Sequence, residues 1–136
     1  MKTIIISCIS ASLIFLIIDA IWLSITIKLF YKPNLGALLN DKPIIWPAIL
    51  FYLIYPVGLT LIIIKPTLYN YDFLQAFWTG IVFGIVAYGT YNLTNMSTVK
   101  NWSTSVVFVD MFWGGLLSGI TATTSLYVTR YILKFG

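Results

Sequence analysis

The stretch TIIISCISASLIFLIIDAIWLSITI, Thr3 to Ile27, decides the fold. Its 25 residues contain one ionisable carboxylate, Asp19, and otherwise run apolar or weakly polar. As a helix it is roughly 37 Å long, more than the ~30 Å of a bilayer's hydrocarbon core. A cleaved signal peptide is the rival reading, with Lys2 as its charged start. Asp19 and the bulky run Ile21-Trp22-Leu23 offer no small-residue cleavage site, so a retained membrane anchor is expected.

Working outward, three more apolar segments follow, at about 44–64, 73–91 and 106–131, giving one four-span domain over residues 1–136. Lys28 to Pro43 reads as a loop through Pro33, Gly36 and Asn40-Asp41-Lys42-Pro43, and Lys65-Pro66 closes the second span. Asn92 to Ser105 reads as a polar connector, with Ser103 or Ser105 placed to cap the fourth span. Short connectors make consecutive helices antiparallel neighbours. The expected fold is therefore an all-α integral membrane protein, an up-down-up-down bundle of four transmembrane helices.

Composition agrees. Of the 136 residues, 60% are hydrophobic and 9% charged, against about 25% charged in a soluble domain. Mean hydropathy is +0.94. Such a chain cannot cover a water-facing surface, so the lipid bilayer is its main partner. Five Trp, nine Tyr and nine Phe suit two membrane interfaces. Eight Lys and Arg against four acids are scattered near helix ends, with no basic stripe for nucleic acid. They divide four to each side: Lys2, Lys65, Arg130 and Lys134 against Lys28, Lys32, Lys42 and Lys100, so the positive-inside rule sets no orientation. The chain has no His and a single Cys, Cys8, so His-based metal sites and intrachain disulfides are excluded. No metal and no cofactor is expected.

Small residues mark the helix contacts. Gly80 and Gly84 form one GxxxG pair, Gly115 and Gly119 another, and Gly114, Ser118 and Ala122 run beside the second. This spacing lets backbones approach closely in lipid, where no hydrophobic force drives helices together. Packing of the third span on the fourth is the first use of it, and a homodimer the second.

Two carboxylates, Asp19 and Asp110, fall inside apolar spans. Each costs on the order of 3 kcal/mol near mid-bilayer, so both are expected to face the bundle interior. Asp19 lies about 12 Å inside Ile27 and Asp110 about 6 Å inside Val106, both measured from the face of the first and third loops. Trp22 and Trp113 follow their acids by three residues and share a helix face with them. Tyr52 comes from the second span, where Pro56 withholds a donor from its carbonyl and should disturb the helix. Tyr88, Tyr91, Asn92 and Asn95 continue the third span's row. No Lys or Arg stands within the spans at this depth. Either one acid holds a proton, or a cation, water or ligand sits between them.

Asp19-Ala-Ile-Trp22-Leu23, Phe51-Tyr52 through Tyr55-Pro56-Val57-Gly58, Gly84 through Tyr88-Gly89-Thr90-Tyr91-Asn92-Leu93-Thr94-Asn95, and Asp110 through Trp113-Gly114 occur in this order. The pattern resembles the bacterial membrane-protein family catalogued as domain of unknown function 2177. That resemblance implies four helices and a multi-pass place in the bacterial inner membrane, and it brings no activity or catalytic residues. Three functions stay open: a membrane-embedded binding site for a lipid or lipid-like small molecule, enzymatic or not; a proton-coupled carrier working as a dimer; and a scaffold or assembly factor. No nucleophile or redox ligand set completes an enzyme mechanism.

Overall fold

The computed structural model describes residues 1–135. Four helices are long and apolar enough to cross a membrane: α1 (Lys2–Leu38), α2 (Ile45–Thr67), α3 (Phe73–Thr98) and α4 (Thr104–Phe135). Asp72 caps α3 by accepting the Gln75 amide at 3.0 Å. Ser103 does the same for α4 through the Val106 amide at 3.4 Å.

The helices alternate in direction. Along α1 and α4, Ser7 meets Thr129, Asp19 meets Trp113 and Tyr31 meets Asp110, so one numbering rises as the other falls. The chain is an all-α four-helix membrane bundle. The extensive contact is α3 against α4; α1 lies on α4, and α2 on α1.

That main seam is built where side chains vanish. A Cβ placed on Gly80 would lie 2.9 Å from the Gly119 Cα, and one on Gly84 would overlap the Gly114 carbonyl. Gly115 and Gly119 receive Ile85 and Ile81 from α3. The backbones touch, which is the geometry that small residues permit in lipid.

Polarity is arranged with apolar groups outward. Ile5, Ile9, Leu13, Leu16, Ile17 and Ile21 of α1 are exposed, as a lipid-facing surface requires. Inside, α1 buries Ser7, Ala11, Phe15 and Asp19 at four-residue steps. The buried stripe of α4 includes Ser118, Thr121, Ser125 and Thr129. Most of these hydroxyls bond a neighbouring carbonyl or one another, as in Ser125 to the Ser7 carbonyl at 2.8 Å.

Two boundaries differ from the sequence reading. α1 does not stop at Ile27: it continues through a π-helical turn, Ile27–Tyr31, a further α turn, Lys32–Leu35, and a 3₁₀ turn, Gly36–Leu38. α3 extends past Tyr91 to Thr98, so Asn92 and Asn95 are helical rather than part of a connector. The physical reason for the first is a proline effect that repeats. A second π turn, Thr60–Ile64, sits in α2, and each π turn is followed at once by Lys-Pro, Lys32-Pro33 and Lys65-Pro66. A proline ring crowds the carbonyl four residues back and supplies no amide. Widening the preceding turn, with Lys32 bonding Ile27 and Lys65 bonding Thr60, relieves that crowding without ending the helix. Pro56, expected to kink the second span and free the Tyr52 carbonyl, lies inside the continuous α-helical part of α2, Ile45–Leu59, four residues before the π turn at Thr60.

Candidate functional site

The site is built from all four helices. Asp19, 6% exposed, accepts two hydrogen bonds, from the Tyr52 hydroxyl at 2.5 Å and the Trp113 indole at 3.1 Å. Asp110 also accepts two, from the Tyr31 hydroxyl at 2.7 Å and the Asn92 amide at 2.6 Å. Every one of these donors is neutral.

The Asp-x-x-Trp pairs of α1 and α4 cross. Trp22 and Trp113 stack with centroids 4.2 Å apart and planes 7° from parallel. Trp113, from the Asp110 helix, donates to Asp19. Trp22, from the Asp19 helix, donates to the Tyr31 hydroxyl at 3.3 Å, and Tyr31 in turn donates to Asp110. Each tryptophan thus reaches the acid of the other helix, directly or through one tyrosine.

Tyr31 depends on the π turn. Nine residues along an unbroken α-helix would set it about 180° from Trp22. One extra residue in the widened turn removes about 100° of that separation. Helical side chains lean toward the amino terminus, which brings Tyr31 back toward Trp22 and Asp110.

An aromatic wall closes the α1–α2 side. Phe15, fully buried, lies one turn before Asp19 and packs on Tyr55 with centroids 4.9 Å apart. The Tyr55 and Ser118 hydroxyls bond at 2.7 Å. Tyr88 lies edge-on to Tyr55 at 5.9 Å, its ring against the place where Gly114 has no side chain.

Of the residues singled out from sequence, Asp19, Trp22, Tyr52, Asn92, Asp110 and Trp113 join one hydrogen-bonded and stacked cluster, with Tyr88 beside it. Tyr91 and Asn95 do not join its centre. Tyr91 is 58% exposed and turns its ring toward Trp102 at 5.8 Å. Tyr31, Tyr55 and Phe15 were not singled out. Tyr55 follows Tyr52 by three residues and Phe15 precedes Asp19 by four, spacings that do signal a shared face. Tyr31 had no such signal.

One polar atom at the centre is unanswered. Asn92 is 0% exposed. Its amide nitrogen serves Asp110 and the Tyr88 carbonyl, while its Oδ1 accepts from nothing. Buried acceptors without a donor are uncommon and costly. The cluster holds two carboxylates and an orphan amide oxygen, so it is rich in acceptors and short of donors. Among the described residues no group of three or more His, Cys, Asp or Glu side chains is placed to hold a metal ion.

A family model described as predicted membrane protein, DUF2177, matches residues 4–127. The chain belongs to that family. No curated protein and no solved structure matches it. Residues 4–127 of this DUF2177 chain include every member of the cluster, from Phe15 to Trp113.

Proposed function

We propose that the acid cluster is a membrane-embedded binding site for a lipid or lipid-like amphiphile whose head group is an amine. The orphan Asn92 Oδ1 beside Asp110 carries this reading. An ammonium offers three donors and no acceptor, which answers a site holding two carboxylates and an unpaired amide oxygen. Its charge offsets the acids, and tryptophan and tyrosine faces attract cations. The apolar tail would lie along the outer bundle surface, and the multi-pass protein would sit in the bacterial inner membrane. A carrier exchanging the amine for a proton would use the same two acids.

Native mass spectrometry of gently purified protein tests this. A retained amphiphilic amine at one per chain supports it, provided Asp110→Asn loses the adduct while staying folded. An adduct kept equally by Asp110→Asn, or none from either protein, counts against it.

A further inference from the structure

We propose a second site, on the opposite membrane face, for the phosphodiester head of an anionic glycerophospholipid. A groove there is lined by Phe73, Tyr127, Arg130, Tyr131 and Lys134. It lies between the start of α3 and the end of α4, remote in sequence from Asp110 and Asn92. Arg130 is exposed, and its guanidinium lies 5.6 Å from the Tyr71 ring centroid and 6.0 Å from that of Phe73. Cation–π contact with two rings steadies the guanidinium while leaving its N–H edge available to oxygen ligands. Asp72, next to Phe73 in the chain, is committed to the Gln75 amide as a helix cap.

The occupant follows from depth and charge. Tyr127 and Tyr131 are 61% and 57% exposed, and aromatic residues of this kind sit at the headgroup level of a bilayer. Below them along α3, Leu74 and Trp78 are exposed at 68% and 57%, an apolar surface on which acyl chains lie. The Arg130 guanidinium at the rim and apolar side chains deeper in the membrane match an anionic headgroup with its tails. Lys2 and Lys65 end their helices on the same face and add to its attraction for anionic lipid. A zwitterionic phosphatidylcholine head brings its own cation and gains less.

The test uses the full chain in detergent, titrated with phosphatidylglycerol or phosphatidylcholine and read by native mass spectrometry. One phosphatidylglycerol per chain should bind in preference to phosphatidylcholine. Arg130→Gln should weaken it about fivefold, the effect of one surface base on anionic lipid. Arg130→Lys should retain more of the binding than Arg130→Gln. Equal binding of the two lipids, or unchanged phosphatidylglycerol binding by Arg130→Gln, would overturn the site. Arg130 is surface-exposed and its replacement leaves the packed seam intact, and circular dichroism of each variant verifies folding.

Discussion

Trp22 and Trp113 stack at 4.2 Å, and each is held by the acid system of the other's helix. Trp113 bonds Asp19; Trp22 reaches Asp110 through Tyr31. α1 and α4 are therefore clasped at the level of the acids by two crossed links sharing one stack. In the membrane interior such polar links replace the hydrophobic force that joins helices in water.

Trp113→Phe separates the stack from the hydrogen bond, because it keeps a ring and loses the indole N–H. Stability in detergent should fall by about 1–3 kcal/mol, because one oxygen of the buried Asp19 carboxylate loses its donor. Asp19→Leu should cost more, about 1–3 kcal/mol for each donor it orphans, Tyr52 and Trp113. Asp19→Asn keeps an acceptor and should lie between the parent and the leucine variant. Chemical unfolding of the three variants gives the order.

Gly84→Leu should break the bundle. Even a Cβ at that position overlaps the Gly114 carbonyl, and backbone cannot move aside as a flexible side chain can. Gly58→Ala is the control, since its Cβ would meet only Phe83 at 3.9 Å, and alanine is the better helix former by about 0.5–1 kcal/mol. Thermal unfolding should show Gly84→Leu strongly lowered or misfolded and Gly58→Ala unchanged or raised. A normally folded Gly84→Leu would contradict the seam.

Pro33→Ala should let the turn Ile27–Tyr31 return toward α geometry and swing Tyr31 away from Asp110. Its effect should then overlap that of Tyr31→Phe. The double variant should be little less stable than Tyr31→Phe alone, a coupling that unfolding free energies in a double-mutant cycle measure directly. Simple additivity would mean that Pro33 does not set the position of Tyr31.

How much of this was legible depended on the interaction involved. Hydropathy read the four spans because lipid imposes it over some 20 residues at a time. That Asp19 and Asp110 would face the bundle interior followed from the cost of a carboxylate in lipid; the depth of Asp19 did not, because it was counted from Ile27 and α1 runs on to Leu38. Gly80 and Gly84 were readable as a close helix contact because small residues at that spacing admit a neighbouring backbone, and the partner proves to be α4. The end of α1 was not readable: Pro33 normally marks a boundary, and here the π turn absorbs it and carries the helix to Leu38. Tyr31 was lost with it, since its face depends on one inserted residue. Tyr91 and Asn95 were grouped with Asn92 by steps of one to four residues. Such a run covers more than one helix face, and only Asn92 is turned to Asp110.

The central claim is that the acid cluster binds a cationic amphiphile, and the Trp22–Trp113 stack lies within hydrogen-bonding reach of the acids to report it. A long-chain primary amine, dodecylamine, titrated into the protein in lipid nanodiscs, should change the near-ultraviolet circular dichroism of the stacked indoles and saturate at one per chain. The corresponding alcohol, dodecanol, should leave the signal unchanged, and Asp110→Asn should abolish the amine response without losing the stack's own signal. An equal response to amine and alcohol, or a full amine response from Asp110→Asn, would contradict the account.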